Sequence, residues 1–333
     1  MNNVAVIIPN WNGEDFIRNC LDSLRQQTTK HTVIVVENGS VDRSIAIIEA
    51  EYPEVILLKQ PENLGFAGGT NIGIQRAIND GFDFVALLNN DAIADRGWLK
   101  ELLQTIQADK RIGSVMSKIK SLDGKTLDGT GEIFTTWGVH FPRGRKEEDL
   151  GQYDKNLDIF GASGGASLFC TKTLKETGLF DGDFFAYYED VDLAWRIQLA
   201  GWKTVFAPEA IVYHHINASS SRIKGFATYQ SIKNLPWVIW KNVPTSLLWK
   251  ILPRFLLIYI MFIGSALARG QFIPVIKGIF MSAILFPKKL WQRLKIQKNR
   301  KVSRKYILSI LWQDLPPDQI RMRKFRKLFT GKA

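Results

Sequence analysis

A chain of 333 residues, 46% hydrophobic and 23% charged, has the apolar material for a sizeable core and for more than one domain, which excludes a disordered polymer. Its two cysteines, Cys20 and Cys170, each lie in an apolar periodic segment, which argues against a disulfide framework and for a reducing compartment. The net charge of +12 is concentrated: residues 288–333 hold fifteen Lys/Arg against two Asp, so the remainder is close to neutral and the basic character belongs to a tail.

The opening MNNVAVIIPNWN lacks a basic leader, a long apolar core and a small-residue cleavage site, so it reads as a first strand with no export expected. Short β-rich runs then alternate with amphipathic helical ones: VAVIIP, EDFIRNCLDSLRQQT, HTVIVVE, RSIAIIEAEY, VILLK, a glycine-rich helix and FVALL. That alternation predicts βαβ units, an α/β fold with a mostly parallel sheet flanked by helices. Phe16, Ile17, Cys20, Leu21 and Leu24 fall at helical spacing and form a core face. Ligands of such sheets gather beyond the carboxyl ends of the strands. The residues there are Asn10-Trp11-Asn12, Glu37-Asn38-Gly39-Ser40, Asn63-Leu64-Gly65 and Asn89-Asn90-Asp91. Ordinary turn and capping roles account equally well for Ser40, Asp42 and Asn63. Asp91, displayed directly after a buried strand, loses hydration unless it is hydrogen-bonded or bound to a cation. A hard divalent cation shared with substrate phosphates answers that need, and a turn before the next helix is the plainer alternative.

Residues 96–235 change character. A helix over Trp98 to Gln107 precedes a polar, glycine-rich stretch from Ser121 to Asn156, whose weak periodicity predicts a long mobile loop. GASGGAS, Gly161 to Ser167, permits close approach of another backbone, or tight strand packing. In YYEDVDLAWR, Glu189, Asp190 and Asp192 open an apolar helix, where the helix dipole favours acids. Three carboxylates exceed what capping requires, and crowding raises their pKa values toward those of a general base. The run AIVYHH ends in His214 and His215, half of the chain's histidines, and one of them is read as a metal ligand with Asp91.

From about residue 235 the chain turns aromatic and aliphatic. FLLIYIMFIGSALA, between Arg254 and Arg269, falls short of the roughly 20 residues a membrane span needs, and FIPVIKGIFMSAILFP follows it. With Trp240, Trp249 and Trp291 near its edges, the pair predicts an interfacial or re-entrant helical hairpin, against the alternative of a buried hairpin capping the preceding domain. The adjoining basic run and DQIRMRKFRKLF, with Met322, Phe325, Leu328 and Phe329 on one face, suit an anionic membrane surface. Nucleic acid would attract the same charges without accounting for the apolar hairpin, so no nucleic-acid partner is expected.

The segments IIPNWNG, VVENGSVD, ENLGFAGGTNIG, LLNNDA, FFAYYEDVDLAWR and GWKTVFAPEAIVYHH together resemble, over about residues 4–220, the inverting family 2 glycosyltransferases of GT-A fold, in their bacterial rhamnosyltransferase-like branch. The resemblance implies a GT-A-type, Rossmann-like domain over residues 1–235, with a nucleotide-binding half over 1–95 and an acceptor and catalytic half over 96–235. The apolar hairpin and basic tail of 236–333 follow. Pro9, Asn10, Trp11 and Asn12 would line the nucleotide. Glu37, where the family more often has Asp, would accept a hydrogen bond from a pyrimidine base, with Asn38 beside it. Asn63, Gly65 and Asn71 would approach nucleotide and sugar. Asn89, Asn90 and Asp91 form a DxD-like motif with Asn89 in place of its first aspartate, and Asp91 with His214 or His215 would hold Mn²⁺ or Mg²⁺. Asp190 would be the catalytic base, supported by Glu189 and Asp192. The implied activity is metal-dependent, inverting sugar transfer, best matched to L-rhamnose from dTDP-rhamnose. The acceptor would be a glycan, lipid-linked, in cell-surface polysaccharide synthesis at the cytoplasmic face of the membrane. A sugar nucleotidyltransferase would need a basic glycine-rich first loop to grip a triphosphate, which is not found. A non-catalytic membrane-surface or nucleic-acid-binding module leaves Asp91, Asp190 and His214 unexplained.

Overall fold

The computed structural model describes residues 3–215 and 223–315, so the amphipathic segment expected at 318–329 lies outside the described residues. Strands β1 (Val4–Asn10), β2 (Thr32–Asn38), β3 (Ile56–Gln60) and β4 (Phe84–Leu88) alternate with helices α1 (Ile17–Arg25), α2 (Ser44–Glu51) and α3 (Gly65–Asn79). The strands lie in the order β3-β2-β1-β4, every neighbour parallel. Val4 to Ile8 and Val85 to Leu88 are buried on both faces, which is why they read as unbroken apolar runs rather than alternating ones. On α1, Ile17, Cys20, Leu21 and Leu24 form the expected core face.

Beyond β4 come β5 (Ala92–Ala94), α4 (Trp98–Gln107), β6 (Ile112–Ser121), β7 (Leu127–Gly129), β8 (Glu132–Phe134), β9 (His140–Pro142), β10 (Asp158–Ile159) and β11 (Ala166–Cys170). Helices α5 (Thr171–Thr177) and α6 (Glu189–Leu199) and the long strand β12 (Lys203–His214) complete this half. The sheet becomes mixed here: β11 runs antiparallel to both β4 and β6, and β12 runs parallel to β6. The stretch from Ser121 to Asn156 departs from the expected loop. It folds into β7, β8 and β9, pinned by buried Arg143, which donates to the Thr130 hydroxyl and carbonyl and to the Asn156 carbonyl at 2.8–3.0 Å. Strands of three residues span too few positions to show a period of two.

The C-terminal helices are α7 (Phe226–Asn242), α8 (Thr245–Ala268), α9 (Phe272–Lys298) and α10 (Arg304–Ile310). The boundary expected after residue 235 falls inside α7. Trp237, Val238, Leu247, Ile251, Phe255 and Ile307 share one buried cluster with Trp195 of α6 and Phe134 of β8. Helices α8 and α9 form the expected hairpin, turning at Arg269-Gly270-Gln271. By length and composition α8 could cross a membrane. One side of it is nonetheless fixed to the sheet domain: Arg254 donates to the Thr136 hydroxyl at 2.7 Å, and Ile251 and Phe255 are fully buried. The opposite side and the outer face of α9 leave Trp249, Ile260, Phe280, Ile284 and Trp291 exposed.

Candidate functional site

The four polar strand ends meet at one edge of the sheet. Parallel register sets Asn10 opposite Glu37. The Asn10 amide donates to the Glu37 carboxylate at 2.7 Å and to the Ser44 hydroxyl at 3.0 Å, and accepts from the Asn90 amide at 2.8 Å. Glu37 is 1% exposed, and its second oxygen accepts from the Ser40 backbone at 2.7 Å. Asn10, Glu37 and Asn90 therefore build the edge from beneath, and the carboxylate expected to face a base is enclosed by neighbouring loops. Asn38 is likewise buried: it donates to the Gly65 carbonyl and the Asn63 side chain, and accepts from the Leu64 backbone at 2.9 Å. Pro9, Trp11, Asn12, Asn63 and Asn89 are among the partly exposed members of the edge.

Two expected donor-site residues serve another purpose. The Asn71 amide is engaged at both ends by the Phe180 backbone, at 2.8 and 3.0 Å, which ties α3 to the loop before α6. Gly65, at φ +73°, lies so close to Phe185 that a Cβ there would stand 2.3 Å from the Phe185 carbonyl. Only glycine fits that approach.

Asp91 follows β4 and is 6% exposed. Pairing of β5 with β12 brings the end of β12 alongside it: Ala92 faces His214, and the His215 backbone donates to the Asp91 carbonyl at 3.0 Å. His214 Nε2 lies 3.1 Å from Asp91 Oδ1, and its Nδ1 lies 2.9 Å from Asp128 Oδ2. Arg145 sits on the other oxygen of Asp128 at 3.1 Å. The His215 ring turns away and packs on Phe16, centroids 5.1 Å apart. Of the two histidine rings, only that of His214 meets the Asp91 carboxylate, because successive side chains of a strand point to opposite faces.

Burial opposes a charge on His214, but its hydrogen bonds to Asp128 and Asp91 outweigh that and push it up to about 9. A histidine clamped between two carboxylates holds a position that demands positive charge. Among the described residues no three His, Cys, Asp or Glu side chains converge into a closed metal cage. An open pair, Asp91 and His214, with a carboxylate orienting the far ring nitrogen, matches the carboxylate–histidine arrangement that supports a metal ligand. The donor set fits a divalent cation with coordination positions left for substrate oxygens.

The three acids of α6 have three different environments. Asp192 is fully buried and takes Arg196 at 2.9 Å, Lys241 at 2.9 Å and the Asn242 amide at 2.8 Å. Burial works against its charge; Lys241 and Arg196 prevail and hold it below the usual carboxylate range. Glu189 is 6% exposed with one oxygen unpartnered, and burial and then the Asp190 carboxylate push it well above that range. Asp190 alone of the three is partly exposed, and one of its oxygens accepts from the Gly164 backbone amide at 3.4 Å. Gly165 next to it packs on Asn89, and the Asn89 backbone N–H donates to the Gly165 carbonyl at 2.9 Å, so GASGGAS joins the Asp91 edge to Asp190.

Four residues at this site were not anticipated: Asp128 and Arg145 behind His214, and Glu132 and His140 near Asp190. Glu132 is 5% exposed with an unpartnered oxygen, and burial, then Asp190, raise its pKa well above the ordinary value. His140, held down by burial, stands 3.8 Å from Glu132 and packs edge-on against Tyr188. All four come from the stretch expected to be a loop. The only sequence signal was an unusual density of charge in a glycine-rich segment.

The sequence model of the family described as Glycosyl transferase family 2 matches residues 5–178. Over 212 residues the chain is 28% identical to the N-acetylglucosaminyl-diphospho-decaprenol L-rhamnosyltransferase of Mycobacterium tuberculosis, covering 57% of this chain and 68% of that one. Among solved structures, S. aureus TarS 1-349 in complex with UDP aligns with a TM-score of 0.55 at 18% identity, over 90% of this chain and 89% of that one. GalNAc-T7 with UDP, GalNAc and Mn²⁺ aligns with a TM-score of 0.57 at 16% identity, over 72% of this chain and 48% of that one. At those identities the structural likenesses bear on the fold, and they agree with the expected GT-A architecture.

Proposed function

The chain belongs to glycosyl transferase family 2, and from that premise we propose that it moves a sugar, with inversion, from a nucleoside diphosphate donor to a hydroxyl of a lipid-linked glycan. The observation that carries this reading is the selection among the three acids of α6: Glu189 and Asp192 are buried, and Asp190 alone is partly exposed, its carboxylate joined through Gly164 and Gly165 to the strand end that carries Asp91. The Asp190 carboxylate takes the proton of the acceptor hydroxyl as its oxygen forms a bond to the anomeric carbon. The bond from that carbon to the diphosphate breaks on the opposite side, which inverts the centre. Asp91 and His214, the latter oriented by Asp128, would hold Mn²⁺ or Mg²⁺, which neutralises charge on the departing diphosphate. Pro9, Trp11, Asn12 and Asn63 offer the exposed surface for nucleoside contact.

L-Rhamnose on thymidine diphosphate is the donor we favour, and an N-acetylglucosaminyl-diphospho-lipid the acceptor, on the strength of the mycobacterial relative's name. A lipid-linked acceptor agrees with the exposed apolar face of the α8–α9 hairpin and the basic tail, which suit association with the inner face of an anionic membrane. The test is calorimetric titration of UDP, dTDP and GDP and their sugars, with and without Mn²⁺ or Mg²⁺, into wild type and Asp91→Ala. Metal-dependent binding of one pyrimidine nucleotide, lost in the variant, is expected. Binding of none of them would remove the donor reading.

A further inference from the structure

The turn that carries Asp190 is strained. Phe185, Tyr187 and Tyr188 have φ of 65°, 65° and 74°, a left-handed backbone that bulky aromatic residues rarely adopt. Such a conformation persists only where its surroundings over-determine it. On one side the Ala67 amide of α3 donates to the Phe185 carbonyl at 3.1 Å. On the other, Asn234 of α7 donates from a single side-chain nitrogen to the carbonyls of Phe184, Ala186 and Tyr187, at 3.0, 3.0 and 2.7 Å. Lys233 adds contacts to the Asp183 and Phe184 carbonyls at 3.0 and 3.2 Å. Lys241 of α7 and Lys289 of α9 hold Asp181 at the base of the turn, at 2.6 and 2.7 Å.

We propose that Asn234 is a positioning residue for Asp190, fixing the left-handed turn that aims the carboxylate, and that the helices of the C-terminal region thereby set the geometry of the reaction. The inference rests on Asp190 as the base. Asn234 is fully buried, yet its Oδ1 has no partner. Burying an unpaired oxygen is costly, and an aliphatic residue would pack α7 without that cost. What the amide supplies, and an aliphatic residue cannot, is donors aimed at three carbonyls of one turn. Two of the carbonyls flank left-handed residues and the third belongs to one, Tyr187. None of the Asn234 hydrogen bonds reaches the strand ends of the donor edge.

The experiment measures nucleoside diphosphate release, with water as acceptor, from whichever of dTDP-rhamnose, UDP-N-acetylglucosamine and UDP-glucose the wild type turns over fastest. It is paired with calorimetric binding of that nucleoside diphosphate with Mn²⁺. Asn234→Ala is expected to lower kcat by about 10- to 100-fold, the scale of a misplacement near 1 Å, with KM and the dissociation constant within about threefold of wild type. Asn234→Ser, which keeps one shorter donor, is expected to fall between them and serves if the alanine variant does not fold. Ile232→Ala, which loosens α7 against α8 and α9 without touching the turn, is the control for lost stability and should keep kcat. Wild-type kcat in a folded Asn234 variant, or an equal loss in Ile232→Ala, would overturn the inference. Turnover retained by Asp190→Asn in the same assay would instead remove the base on which it rests, as would no release by wild type from any donor.

Discussion

Lys289 gives the sharpest test of how the C-terminal helices are joined to the rest of the molecule. Its side chain is wholly buried, with the ammonium 2.7 Å from Asp181 and 2.6 Å from Asp183 and 4.8 Å above the Trp237 ring. Lys289→Gln removes the charge and leaves two carboxylates behind; breaking a buried pair in this way costs about 3–5 kcal/mol. Asp181 would keep Lys241 at 2.6 Å and Asp183 would keep the exposed Lys288 at 2.7 Å, which places the loss at the lower end of that range. About 3 kcal/mol corresponds to a fall in melting temperature of about 4 °C in a chain of this size. The loss should also depend on pH. Burial opposes the charge of Asp181, but Lys241 and Lys289 hold its pKa well below the ordinary value. A carboxylate depressed on folding contributes stability above its unfolded pKa, near 4, and loses it as pH falls through the folded value. Melting curves by circular dichroism at pH 7 and pH 3.5 should therefore show a gap between wild type and variant that narrows on acidification. Equal melting at pH 7, or a gap that widens in acid, would refute a buried, charged tether between α9 and the loop before α6.

Asp190→Asn should slow sugar transfer by about 10²- to 10⁴-fold with nucleotide binding retained, and a variant that turns over normally would remove Asp190 as base. Asp128→Asn should weaken Mn²⁺ binding about 10- to 100-fold by freeing the His214 ring, whereas His215→Ala should leave it unchanged; calorimetry showing the reverse would exchange the roles of the two histidines. Gly65→Ala sets a Cβ against the Phe185 carbonyl at a φ that alanine resists, so it should cost about 1–3 kcal/mol in a urea melt and lower kcat; an unaltered melt would mean that the close approach relaxes freely. Truncation after Leu315 removes six Lys/Arg and should reduce co-flotation with vesicles containing phosphatidylglycerol while leaving the melting temperature intact. Flotation equal to that of the full chain would clear the tail of a membrane role.

The sheet was legible because β1, β2 and β4 are apolar throughout and carry polar residues at their carboxyl ends; period and turn chemistry there agree. The limits of α4 were legible for the same reason. What period could not convey is which members of a polar cluster end up enclosed. Glu37 and Asp91 look alike in sequence, each a carboxylate at the end of a strand. Register then sets Asn10 against Glu37, and the Ser40 turn closes over it, whereas Asp91 finds His214 across the sheet from a residue 123 positions away. Asp128, Glu132 and His140 were illegible because three-residue strands in a glycine-rich segment leave no periodic trace.

The division of the chain near residue 235 follows hydropathy, and hydropathy reports the solvent of a helix's outer face, not the partner of its inner one. On α9 the outer face is apolar and exposed at Phe280 and Ile284, while the inner face buries a lysine paired with the loop before α6. On α7, Phe226 and Trp237 pack on the aromatic rings of that loop, and the polar residues that bond it, Lys233, Asn234 and Lys241, are all buried. Polar residues in an apolar helix are costly unless something distant repays them. Here the repayment is a left-handed aromatic turn that could not hold its shape unaided. A helix that reads as part of a membrane anchor thus supplies contacts to the turn before Asp190, the proposed base, and damage to it should reach turnover before it reaches nucleotide binding.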